Sequence, residues 1–372
     1  MRLGVLEIGS NTVRLAVADE HRGVPLPVHS SKRRLRLAEK ITDDGRLPPD
    51  AVEQLVEAVD GLRRESARWG VADPLAVATA AVRGAANQQH VVTQIHARTG
   101  LCVNVVPGDV EAGLTFLAAR NWVGAQAGSM VLLDIGGGSL EIASGRGRTP
   151  GFTVSLPLGV ARLTREYLDH DTVPAPEALR RVRRRVRHEL RDVADRMQWE
   201  RPRTALAASR TFHQLGRLCG AAPSRQGVFV PRELNRHDLK AALRLLAERS
   251  APARAELPGI SHARARQCLT GAIIAHTAMR CLDIGTVVLS PWECVKALCS
   301  HNCRDAVRSG LSGGCQCRPA RRNPGGFPSR SAELPAARHL TRESPPHEAP
   351  GRPLTRWWFT KPGGTPRPSS PA

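Results

Sequence analysis

Two stretches built to one plan decide how this chain folds: Val5-Leu6-Glu7-Ile8-Gly9-Ser10-Asn11-Thr12 and Leu132-Leu133-Asp134-Ile135-Gly136-Gly137-Gly138-Ser139. Each is an apolar run, an acid, an isoleucine, a glycine, two small residues and a hydroxyl. A second apolar run follows in both places, Val13 to Val17 and Leu140 to Ala143. Apolar strand, tight turn, apolar strand is the pattern of a β-hairpin. Glycines in such a turn let backbone N–H groups approach and face phosphate oxygens. The acid at the strand end is placed to reach a metal ion held by that phosphate. Glu7 and Asp134 stand 127 residues apart, which implies two similar domains facing one cleft.

Between and after the hairpins, apolar runs alternate with helical patterns, the signature of an α/β protein. Val52, Leu55, Val59 and Leu62 step at helical spacing, with Gly70 as a stop. Leu179, Val182, Val186, Leu190, Val193 and Met197 predict a second helix whose other face is filled with arginines. That face reads as a solvated surface or as a basic rim that guides a polyanion. Neither hairpin turn ends in the Gly-Lys-Ser/Thr of a P-loop, and no helical pattern follows, as a dinucleotide fold would require.

The chain has 372 residues, enough for two ordinary cores. No stretch approaches the roughly 20 apolar residues that cross a bilayer, and no signal peptide is visible, so the expected location is the cytoplasm, with no membrane partner. In that reducing setting the nine cysteines are not a disulfide framework. The net charge of +20 calls for an anionic partner. Nucleic acid ranks last, because aromatic residues make up 3% of the chain and no stacking motif is visible. From Glu293 onward there are thirteen Lys and Arg against five Asp and Glu, with twelve of the 28 prolines, so about twelve of the excess charges belong to residues 1–292. Cys294, Cys299, His301, Cys303, Cys315 and Cys317 match no paired zinc pattern, and His213 and His276 show no ligand spacing.

Ala76 to Ala81 reads as a buried strand end, followed at once by Arg83 and Asn87. The planar fork of an arginine at that point suits a phosphate. Pro107-Gly108-Asp109 breaks a strand and opens a helix carrying Glu111 in its first turn, where an acid ordinarily serves the helix dipole.

Taken together, the Glu7 hairpin, the run Ala78 to Asn87, the Gly108–Glu111–Ala112 turn, Asp134 to Glu141, Ser155-Leu156-Pro157-Leu158-Gly159 with Arg162, Gly271-Ala272 and Ser290-Pro291-Trp292 resemble the exopolyphosphatase/guanosine pentaphosphate phosphatase family over roughly residues 1–292. The likeness is to its short actinobacterial members. The resemblance implies an actin-like (ribonuclease H-like) two-domain α/β fold, residues 1–122 and 123–292, with duplicated β-hairpin phosphate loops. It implies that Glu111 is the catalytic base, that Ser10, Asn11, Arg83, Gly136, Gly137, Gly138 and Ser139 hold phosphate, and that Glu7, Asp134 and Glu141 line a centre using Mg2+. The implied activity is hydrolysis of terminal phosphoanhydride bonds of inorganic polyphosphate. Alternatives are a guanosine pentaphosphate 5'-phosphatase of the stringent response and a catalytically silent phosphate- or polyphosphate-binding protein. A homodimer stays open.

Several positions depart from the family pattern. Glu7 stands where aspartate is usual, and its extra methylene moves the carboxylate by about 1.5 Å. Val110, Gly113 and Ala263 replace expected charged residues. After Trp292 the family continues with an Ala-Leu-Arg-Glu-Gly-like helix, whereas this chain reads Glu293-Cys294-Val295-Lys296. Residues 293–372 are therefore expected to be a mostly disordered tail, read from a shifted frame or otherwise non-homologous. Val295, Leu298 and Val307 are the residues that would cover the core as a partial helix.

Overall fold

The computed structural model describes residues 1–21, 24–168, 172–227, 229–292 and 298–299. Both quoted stretches are hairpins in it. Strand β1 (Arg2–Ile8) turns into β2 (Thr12–His21), which pairs antiparallel with β3 (Val24–Arg34). Helices α1 (Leu37–Lys40) and α2 (Pro49–Arg68) follow, then β4 (Leu75–Ala78), α3 (Ala80–Arg83), α4 (Gln88–Thr99), β5 (Val103–Val105) and α5 (Gly108–Val123). The second half opens on β6 (Met130–Ile135), β7 (Leu140–Gly145) and β8 (Phe152–Leu156), and continues with α6 (Val160–Tyr167), α7 (Pro176–Glu189) and α8 (Arg191–Glu200). It closes with β9 (Thr204–Ala208), α9 (Ser209–Leu218), β10 (Glu233–Asn235), α10 (Arg236–Ala247), α11 (Ala251–Ala255), α12 (Cys268–Cys281) and β11 (Thr286–Leu289).

The sheets repeat one topology. One runs β3-β2-β1-β4-β5 and the other β10-β11-β9-β6-β7-β8. In each, a three-stranded antiparallel meander is extended by two parallel strands beside its first member, β4 and β5 beside β1 and β9 and β11 beside β6, and β10 adds an antiparallel edge to the second sheet. The glycine turns leave the carboxyl ends of β1 and β6, where open α/β sheets bind ligands. Leu6, Ile8 and Leu15 pack on Val52, Leu55, Val59 and Leu62 of α2. Val131, Leu133 and Ile142 pack with Phe212 of α9 and with the buried stripes of α7, α10 and α12.

The two remaining sheet faces share one helix. Leu114 and Ala118 of α5 join Val5, Leu75 and Val77 of the first sheet, while Ala112, Phe116 and Ala119 join Met130, Leu132 and Leu206 of the second. A helix apolar on two sides must lie between layers. The described residues all belong to one compact unit that contains both sheets. Arg165 of α6 ties the halves again by donating to the carbonyls of Ala38 and Ile41, at 3.0 and 3.1 Å.

Three features differ from the sequence reading. The strand before Arg83 ends at Ala78, and the helix expected over Leu179 to Met197 divides at Leu190, whose backbone has ψ 0° while its side chain stays fully buried. Strand β3 has no clear sequence pattern because it holds Pro25 and Pro27, which a sheet tolerates at an edge, and β3 is an edge strand. Leu298 and Cys299 are buried beside Val5 and Val77 in a cluster that Trp292 also touches. The expected disordered tail, with Val295 and Val307, lies outside the described residues.

Phe116 is completely buried where α5 meets the second sheet. Phe116→Ala should cost about 3–5 kcal/mol in urea unfolding, the usual penalty for truncating a core aromatic. A loss below about 1 kcal/mol would show that α5 does not join the halves.

Candidate active site

The hairpin tips are built alike and touch. Gly9 N–H donates to the Thr12 carbonyl at 3.0 Å, and Gly136 N–H donates to the Ser139 carbonyl at 2.9 Å. A Cβ placed on Gly137 would lie 2.5 Å from Ser10 Cβ, and one on Gly138 would lie 2.9 Å from Ala80 Cβ. Only glycine lets the second tip come so close. Beneath it, the amides of Val160, Ala161 and Arg162 donate to the carbonyls of Gly136 and Gly137, so the start of α6 fixes the loop. A Cβ on Gly159 would lie 2.2 Å from the Gly138 carbonyl carbon. The first tip is braced differently. Asn11 O accepts from the amides of Leu35 and Arg36, Ser10 O accepts from Ala38, and the Asn11 amide donates to Gln267 at 3.4 Å. Asn11 Oδ1 is buried without a partner among the described residues.

Beside the tips lies a charged group drawn from three elements. Arg83, at the end of α3, donates from Nη1 to Glu111 Oε2 at 2.7 Å and to the Val106 carbonyl at 2.8 Å. Its Nη2 stands 3.7 Å from Glu141 Oε1 and 3.5 Å from Ser155 Oγ. Glu141 Oε1 accepts from Ser155 Oγ at 2.9 Å and also from Ser139 Oγ. Gly108 permits this meeting, because a Cβ there would fall 2.3 Å from Ser155 Cβ.

Burial sets the electrostatics. The Glu141 side chain is 4% exposed and that of Glu111 15%. Burial first, and then the charge of Glu111, push the Glu141 carboxyl up to about 8, against the two hydroxyl donors and Arg83. Burial also raises Glu111, and Arg83 opposes it. With Oε1 taken by two hydroxyls, the proton belongs on Glu141 Oε2.

The other sequence-derived residues are placed as follows. Glu7 and Asp134 each precede a tip by one residue, opposite Arg14 and Glu141 respectively in the strand register. Among the described residues no three acids, histidines or cysteines form a metal-binding group. Mg2+ commonly takes one or two carboxylates and completes its shell with substrate phosphates and water, so a strand-end acid at each loop fits it. Glu141 fits only after losing its proton. Asn87 is structural: its side chain brackets Leu47, donating to the carbonyl and accepting from the amide, both at 2.9 Å. Ser155 carried no role in the sequence, although its register opposite Glu141 links it to the site. A cavity of about 350 Å³ opens beside Gly138, lined by Thr42, Asp43, Ala80, Arg162 and Glu166.

Residues 16–294 match the Ppx/GppA phosphatase family. The chain belongs to that family. It is 41% identical over 302 residues to exopolyphosphatase 1 of Mycobacterium tuberculosis, covering 78% of this chain and 85% of that protein. An uncharacterized protein of Streptomyces coelicolor is 56% identical over 293 residues, covering 78% of this chain and 87% of its own length. Among solved structures, an exopolyphosphatase of Cytophaga hutchinsonii matches with a TM-score of 0.73 at 20% identity, over 84% of this chain and 98% of that one. The Ppx/GppA member of Aquifex aeolicus gives 0.68 at 24% identity, over 82% and 98%. The fold is thus the actin-like one of this family.

The raised Glu141 carboxyl has a consequence for stability. Between the ordinary carboxylate range and about 8 the folded protein holds a proton that the unfolded chain releases, so stability should fall as pH rises through that window. Urea midpoints of the metal-free protein measured from about pH 5 to pH 8 should decline, and Glu141→Gln should flatten the decline. Identical slopes for both proteins would place the proton elsewhere.

Proposed function

We propose that the protein hydrolyses the terminal phosphoanhydride bond of inorganic polyphosphate and releases orthophosphate. The observation that carries this reading is the part-buried Glu111–Arg83 pair beside two touching glycine turns. The names of the mycobacterial relatives agree with it. Such a reaction needs positioning, charge neutralisation and a base near the attacking water, with little covalent help.

Arg83 and the amides and hydroxyls of Ser10, Asn11 and Gly136 to Ser139 hold the terminal phosphate. As its oxygens take the guanidinium, Glu111 Oε2 is released to accept a proton from water. The water oxygen forms the new bond to phosphorus, and the bridging oxygen leaves with the electron pair of the broken bond. Ser155 and Ser139 orient Glu141. Glu7 and Asp134 would hold Mg2+, which when bound supplies positive charge against the phosphate oxygens. The cavity beside Gly138 receives the following part of the substrate. The basic surplus of residues 1–292 favours a long polyanion over a nucleotide. The division into domains 1–122 and 123–292 and the non-family tail belong to the same proposal. Among the described residues no helix is long and apolar enough to cross a membrane, and the cytoplasmic setting read from the sequence belongs to the same proposal.

Phosphate release from polyphosphate and from guanosine pentaphosphate, with and without Mg2+, tests the proposal. Glu111→Gln should keep the fold and lower polyphosphate turnover by about 10² or more. Unchanged turnover would remove Glu111 from the chemistry, and preference for the nucleotide would replace the substrate.

Glu7→Asp probes the metal. A shorter carboxylate should raise Mg2+-dependent turnover if the reach of glutamate misplaces the ion. A fall would show that the site has adjusted to glutamate.

A further inference from the structure

The outer layer of the second sheet carries cations that the proposed chemistry does not use. Arg183 and Arg187 on α7, His276 and Arg280 on α12, and Arg236 and Lys240 on α10 form three pairs, each four residues apart and so on one helix face. Helix α12 packs against both α7 and α10. The groups also interact across those seams: Arg183 with Arg280, and His276 with Arg183, Arg236 and Lys240.

Counter-charge is scarce there. Arg180 and Arg184 nearby are matched by Glu177, and Arg185 by Glu189. Within the set, Asp283 stands 3.9 Å from Arg236 and is 93% exposed. Among the described residues, Arg183, Arg187, Lys240 and Arg280 have no hydrogen-bonded or ion-paired partner. Like charges four apart on a helix oppose the fold, so the pairs Arg183/Arg187 and Arg236/Lys240, with Arg280 on the helix between them, work against stability unless an anion joins them. Burial, reinforced by the neighbouring cations, lowers the pKa of both Arg183 and His276.

The geometry connects this face to the cleft. Helix α12 begins beside Gln267, which accepts from Asn11 of the first phosphate turn, and ends with Arg280 and Cys281. At 1.5 Å per residue, Arg280 stands about 20 Å along the helix from that turn. None of α7, α10 and α12 carries a Phe, Tyr or Trp, so the face lacks the stacking platforms with which proteins hold single-stranded nucleic acid. It suits a polyanion that has charge and no bases.

We propose that the α7–α12–α10 face is an exosite for long-chain inorganic polyphosphate, holding a distant stretch of the chain while its end lies in the cleft. This rests on the polyphosphate reading above. The test is the full-length protein with R183Q, R187Q, K240Q and R280Q combined, and R187Q with R280Q as a milder second variant. Affinity for long-chain polyphosphate should fall at least about tenfold at low salt, and the slope of log affinity against log salt should shrink by up to about three, near 0.7 for each cation replaced. Turnover of tripolyphosphate should stay within about twofold, and thermal stability should hold or rise as like charges are removed. Equal losses on tripolyphosphate and long chains, or undiminished binding of long chains, would overturn the exosite. An equal loss of binding to single-stranded RNA of matched charge would overturn its occupant. If the wild-type protein released no phosphate yet bound long polyphosphate through these residues, the hydrolase reading would fail and the exosite would stand.

Discussion

Arg83 lies 2.7 Å from Glu111 and 3.7 Å from Glu141, and this shared guanidinium is what lets two buried carboxylates occupy one cleft. Either acid alone would be costly to bury, and together they repel. Removing the arginine would leave charge uncompensated, a loss that typically reaches about 3–5 kcal/mol. The three residues come from different parts of the chain: the end of α3, the first turn of α5 and strand β7. Their contact therefore fixes how the first sheet, the shared helix and the second sheet stand to one another. Gly108 belongs to the same constraint, since any side chain there would push α5 away from Ser155.

The duplication that makes the fold is broken where chemistry requires it. Glu7 pairs with Arg14 in the first hairpin, and Asp134 pairs with Glu141 at the same register of the second. One copy thus presents an acid and a base across its strands, and the other two acids. The tips divide their roles as well. Ser10 fills the space that a side chain at Gly137 would need, so one turn carries side chains and the other must be bare backbone. Two identical turns could not touch in this way.

How far the sequence could be read follows from what each residue's role depends on. Both hairpins were legible because a strand, a glycine turn and a strand are local events, and the stripe Val52, Leu55, Val59, Leu62 was legible because helical spacing is local too. Glu111 was visible as a first-turn acid, but its burial beside Arg83 depends on residues 28 positions away, and only family likeness suggested a role. Ser155 was visible as the start of a family-like stretch, but its role was not, since a serine in a strand is ordinary until its register opposite Glu141 is known. The start of helix α5 was legible at Pro107-Gly108-Asp109, but its two apolar sides become intelligible only once a sheet lies on each. Leu190 continued the apolar stripe and hid the break between α7 and α8, because burial and backbone regularity are separate properties.

The proton on Glu141 also bears on how an anion enters such a cleft. With Glu141 neutral, the group around Arg83 sets at most one carboxylate charge, that of Glu111, against the guanidinium, whereas losing the Glu141 proton would add a second and make the group hostile to phosphate. A phosphate that takes Arg83 from Glu111 then leaves one carboxylate charged beside the attacked phosphorus, where a base is needed. The same exchange deprives Glu111 of the counter-charge that opposed burial, so its affinity for a proton, already raised, rises further as substrate binds. A carboxylate that burial already makes more basic than usual becomes a stronger base still when the substrate is in place.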